Sequence, residues 1–85
     1  MPKFLIERNF AEQLEMTPEI AGQINSVSAD MGMQWLFSFL SADNKKTYCL
    51  FEAPNADTVR ENARRLNLPA DVVIEVSDMK PEMFV

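Results

Sequence analysis

Eighty-five residues, 47% of them hydrophobic and 25% charged, suffice for one two-layer domain spanning 1–85 and are too few for two. Thirteen acidic against eight basic residues leave a net charge of −5, which opposes phosphate backbones and anionic lipid, so neither nucleic acid nor a membrane is an expected partner. A single cysteine, Cys49, cannot close an intramolecular disulfide, "MPKFLIERNF" lacks a long apolar core and cleavage site, and no stretch nears the ~18 apolar residues of a membrane span. A cytoplasmic location is the expectation.

The first predicted element is a strand over residues 3–10, with Phe4 and Ile6 on one side and Leu5 and Glu7 on the other. Thr17-Pro18-Glu19 then offers an N-cap, a proline at the first helical position and an acid in the first turn. Ile20, Ile24, Val27 and Met31 follow at helical spacing, and Gly32 is a natural C-terminal stop. "MQWLFSFLSA" reads as a strand apolar on both faces, "DNKK" as a turn and "TYCLFEA" as a third strand, which together make a hairpin. Asn55 caps a second helix whose buried stripe is Ala56, Val59, Ala63 and Leu66. "LPAD" ends it, "VVIEVS" supplies a fourth strand, and 78–85 is a loosely ordered tail.

The order βαββαβ with right-handed crossovers predicts a ferredoxin-like α+β sandwich, an antiparallel sheet ordered 4-1-3-2 with both helices on one face. Strand alternation then assigns faces. Phe4, Ile6, Leu36, Ser38, Leu40, Cys49, Phe51, Val72, Ile74 and Val76 are expected toward the helices. Leu5, Glu7, Asn9, Trp35, Phe37, Phe39, Tyr48, Leu50, Glu52, Val73 and Glu75 are expected on the open face. A face carrying Trp35, Phe37, Phe39, Tyr48 and Leu50 is too apolar to meet water comfortably. A homodimer of two apposed sheets, a dimeric α+β barrel enclosing a pocket, is the expected assembly.

On that face Glu7, Glu52 and Glu75 come from neighbouring strands and form a candidate site for a divalent metal ion or a polar ligand. Carboxylates among apolar residues need a cation, a basic partner such as Arg8 or Lys3, a proton or water. The plainer alternative is that they sit at different heights and are solvated or ion-paired. Cys49 reads as a buried structural residue, and Met16, Met31 and Met33 as flexible packing beside the first helix. Arg60, Arg64 and Arg65 stand at i,i+3 and i,i+4 spacing from Asp57 and Glu61, a solvated, internally paired face.

"MPKFLIERNF", "WLFSFLSADNKKTYCLFEAPNADTVRENARR" and "LPADVVIEV" resemble a small bacterial ferredoxin-like family of unknown function whose described members include nickel-binding homodimers. The resemblance spans nearly the whole chain and rests most on "IERNF" and the "KTYC...EAPN...RE.ARR" run, neither a catalytic signature. It implies a dimer and an association with nickel. Members often carry histidine at the positions of Phe37 and Asn62, whereas this chain has no histidine at all. An all-carboxylate set suits magnesium, calcium or manganese better than nickel. With no histidine and only two glycines, a catalytic apparatus is not legible. Three readings remain: a metal-binding or metal-responsive dimer, a small-molecule binding module, and a dimeric-barrel isomerase or monooxygenase using a buried carboxylate.

Overall fold

A computed structural model describes residues 1–84. Its elements are β1 (Lys3–Asn9), α1 (Pro18–Asp30), β2 (Gln34–Leu40), β3 (Lys46–Glu52), α2 (Ala56–Arg65), β4 (Val72–Val76) and a one-turn 3-10 helix at Pro81–Phe84. The sheet is antiparallel, with β1 and β3 central and β2 and β4 at its edges in the order β2-β3-β1-β4. This is the expected ferredoxin-like arrangement. Of the 78–85 tail, Pro81–Phe84 is exposed throughout and Val85 lies outside the described residues.

Both helices begin and end on side-chain and backbone chemistry that the local sequence supplies. The Thr17 hydroxyl accepts from the Ile20 amide at 3.2 Å, and the Asn55 side chain accepts from the Thr58 amide at 2.8 Å and the Thr58 hydroxyl at 2.9 Å. Both helices also close in the same manner. Gly32 at φ 70° donates to the Ala29 carbonyl while Met33 donates to that of Ser28; Asn67 at φ 55° donates to Arg64 while Leu68 donates to Ala63. That paired backbone pattern needs one left-handed residue, which glycine and asparagine tolerate best. Replacing Asn55 by alanine strands the first-turn amide of Thr58 and is expected to cost about 1 kcal/mol. A lower urea midpoint at unchanged slope is the readout.

Phe4, Ile6, Ile24, Met33, Cys49, Phe51, Ala53 and Val59 form the core between sheet and helices. The anticipated stripe on α2 is present, with Val59 and Ala63 buried and Ala56 and Leu66 packed against the core. Asn62 joins it at 0% exposure, its amide nitrogen donating to the Ser28 hydroxyl across the α1–α2 contact at 3.3 Å. On α1, Ile24 and Ser28 are the fully buried positions.

The expected faces are corrected on two strands, β2 and β4. A β-bulge between Trp35 and Phe37 takes Leu36 out of the alternation. Trp35 therefore lies on the helix face opposite Phe51, stacked on it at 6.2 Å, and does not belong to the open face. On β4 the whole strand is inverted relative to expectation. Glu75 pairs with Phe4 and Val73 with Ile6, both core residues, whereas Val72, Ile74 and Val76 pair with Glu7, Leu5 and Lys3 of the open face.

Candidate functional site

Cross-strand register sorts the open face into rows. Ile74, Leu5, Leu50 and Phe37 stand side by side across all four strands, a wholly apolar row. Beside it lies Val72, Glu7, Tyr48 and Phe39, and on its other flank Val76, Lys3, Glu52 and Gln34. Phe37 is 50% exposed, Phe39 63% and Ile74 51%, so the band is open to solvent rather than roofed by the chain's own helices. Phe37 and Phe39 meet edge to face at 5.4 Å. Inverting β4 enlarges the apolar band, because that strand contributes three aliphatic residues in place of Val73 and Glu75.

The charges on this face cancel. Lys3 and Lys46 balance Glu7 and Glu52, although the chain as a whole carries −5. Lys46 Nζ approaches Glu7 Oε2 at 3.6 Å and sits 5.8 Å from the centre of the Tyr48 ring. Lys3 Nζ turns to Asp78 at 2.9 Å, and this ion pair holds the Asp78 carboxyl below its usual range. Neither pairing involves Arg8, which lies on the helix face. Glu52, half-buried, has no ion-pair partner among the described residues.

The three glutamates do not meet within one chain. Glu7 is opposite Tyr48, four residues along β3 from Glu52, a separation of about 13 Å at strand rise. Glu75 projects from the other face. Cys49 is buried toward the helices, its thiol donating to the Thr47 hydroxyl at 3.7 Å. Among the described residues no three His, Cys, Asp or Glu side chains converge to hold a metal ion. The two positions associated with histidine in the resembling family are also separated, Asn62 buried between the helices and Phe37 exposed across the sheet. Nickel prefers imidazole, thiolate and mixed nitrogen-oxygen donors. The side chains present do not fit a nickel centre within one chain.

Elsewhere the surface is conventional. Arg60 pairs with Asp57 at 3.3 Å, Arg65 with Glu61 at 3.5 Å, and Arg64 also with Glu61; these arginines hold the Glu61 carboxyl below its usual range. No described helix is long and apolar enough to cross a membrane. Sequence reasoning missed one cluster, an apolar cleft on the helix face around the buried side chain of Arg8. Its signal was present in strand alternation, which sets Arg8 in line with Phe4 and Ile6.

Among proteins of curated function none matches the chain significantly. A solved structure, that of SCO4226 from Streptomyces coelicolor A3(2), shares its fold with a TM-score of 0.71 at 20% identity, covering 92% of this chain and 99% of that one. A family model described as "Nickel responsive protein SCO4226-like" matches residues 4–76, every strand and both helices. On that match over most of its length, the chain belongs to the SCO4226-like family of nickel-responsive proteins.

Proposed function

We propose that this protein is a non-enzymatic homodimer of the cytoplasm, built by apposing two open sheet faces, that serves a metal-responsive process without capturing nickel tightly itself. The observation that carries the reading is the uninterrupted row Ile74, Leu5, Leu50 and Phe37, on a face whose strand charges, Lys3 and Lys46 against Glu7 and Glu52, sum to zero. Contiguous apolar surface of this kind is a property of interaction sites. A two-fold interface sets one patch against itself, so a face with net charge would be repelled by its copy, and this one is not. Such a dimer suits the family's nickel-responsive character and encloses the Glu7 and Glu52 carboxylates at its margin. The single cysteine, buried and unpaired, is consistent with a reducing compartment.

Divalent ions held by so few carboxylates are expected to bind weakly and with little selectivity, with dissociation constants of order 0.1–1 mM. Glu52 is the open-face carboxylate without a basic partner among the described residues, so it is the first ligand to test. Calorimetric titration of the wild type and of Glu52→Gln with nickel, manganese and magnesium should give comparable weak affinities for the three metals and a loss in the variant. Submicromolar nickel binding would show that the dimer builds a centre absent from the single chain, and would overturn the proposal.

A further inference from the structure

We propose that the cleft on the helix face of the sheet, opposite to the dimerisation surface, is a binding site for a small carboxylate with an apolar body, anchored by Arg8. Arg8 is 2% exposed, and its guanidinium makes one hydrogen bond among the described residues, from Nη1 to the Pro69 carbonyl at 2.7 Å. None of the ion pairs of the described residues includes it. A guanidinium carries five N–H donors in a planar fork, and burying it without a counter-charge is costly.

Two further polar groups line the same cleft, and both have donors to give. Thr47 is the direct cross-strand partner of Arg8, and Ser38 is paired with Cys49 one row further along. The Ser38 oxygen accepts from Trp35 Nε1 at 2.8 Å, and the Thr47 oxygen accepts from the Cys49 thiol at 3.7 Å. Neither hydroxyl donates to a protein atom among the described residues. Three groups around one cleft, each with at least one N–H or O–H still to donate, call for a ligand rich in acceptors. A carboxylate answers the guanidinium fork with two parallel bonds and leaves lone pairs for a hydroxyl.

The rest of the lining sets the ligand's other end. Ile20, Ile24, Leu14 and the Trp35 ring are apolar walls, so the body that follows the carboxylate must be apolar too. The cleft holds a cavity of about 50 Å³. One water needs roughly 10–15 Å³ by that measure, so the fitting ligand has a handful of heavy atoms. Its outer wall is the segment between β1 and α1, where the Leu14 backbone N–H donates a hydrogen bond to the Asn44 carbonyl of the β2–β3 turn at 2.7 Å. Because the chain is anionic overall, the general field does not draw an anion here, and the local donors must do so.

The test is a series of short straight-chain carboxylates, propionate, butyrate and pentanoate, with the matching primary alcohols as controls. Trp35 lines the cleft and is the chain's one tryptophan, so its emission reports occupancy directly. We expect saturable quenching or shift with at least one carboxylate, and binding of its alcohol weaker by about 10- to 100-fold, the value of a charge-assisted hydrogen-bond pair. Arg8→Met should abolish the preference for carboxylate over alcohol. Thr47→Val, which keeps the side chain's shape and loses only its hydroxyl, should weaken carboxylate binding several-fold and so decides the matter if the Arg8 variant does not fold. No emission change at millimolar carboxylate, equal affinity for acid and alcohol, or a folded Thr47→Val variant with unaltered affinity would each overturn the assignment.

Discussion

A Phe37→Glu variant is expected to be a folded monomer. Phe37 stands at the end of the apolar row, 50% exposed in the single chain, so a charged side chain there meets water without disturbing the core. In a two-fold dimer the same substitution acts twice. Each phenylalanine has only its exposed half left to bury, so losing both is worth about 1.5–3 kcal/mol, before any cost of bringing two carboxylates together. That corresponds to a weakening of the dimer by roughly 10- to 10²-fold from burial alone. Circular dichroism should be unchanged while the sedimentation coefficient falls to that of a single chain. Phe37→Leu keeps the row apolar and should remain dimeric. A Phe37→Glu protein that stays dimeric would place the interface elsewhere.

The largest expected loss of stability follows from Phe51→Ala. Phe51 is 1% exposed, lies between Phe4 and Trp35 on the helix face and stacks on the Trp35 ring. Truncating a phenylalanine so placed removes its transfer energy and leaves a cavity, a cost of about 3–5 kcal/mol. For 85 residues the total is expected to be only roughly 4–13 kcal/mol, so the variant should sit near the edge of folding. Met79→Ala, at an 81% exposed position, should by contrast change stability by less than about 0.5 kcal/mol. Urea titration of both variants distinguishes them. A Phe51→Ala loss below about 1 kcal/mol would contradict the core as described.

The order of elements, the sheet topology and the helix caps were legible in the sequence because each has a local cause: alternation, helical spacing, Thr17 and Asn55 as caps, Gly32 as a stop. What escaped was the direction of side chains where alternation carries no contrast. "VVIEV" is aliphatic at every position but one, and assigning its one glutamate to the open face is natural. β4 is an edge strand, however, and Glu75 is exposed even on the helix face. Trp35 was misplaced by a bulge at Leu36, in a strand without glycine to announce it. Once those two reversals are made, the three-glutamate cluster disperses and the apolar band grows. The Arg8 cleft is hard to see in the sequence because an arginine beside Glu7 suggests an ion pair, whereas alternation turns Arg8 toward the core, in line with Phe4 and Ile6.

These corrections bear on how a nickel-responsive family can include a chain without histidine. The residues that would favour nickel are missing or turned inward, while the open sheet face and the Arg8 cleft are the places we propose for self-association and for a small anionic ligand. Any part this chain takes in a response to nickel then rests on a dimer that forms with or without the metal. Everything in that account depends on the open face meeting a second copy.

Light scattering coupled to size exclusion on the wild-type protein at micromolar concentration tests this most directly. The dimer has a mass of twice the chain's 9.7 kDa, and the expected reading is that value with or without added nickel or chelator. A mass of 9.7 kDa under the same conditions would contradict it, leaving Phe37, Phe39 and Ile74 as exposed side chains of a monomer.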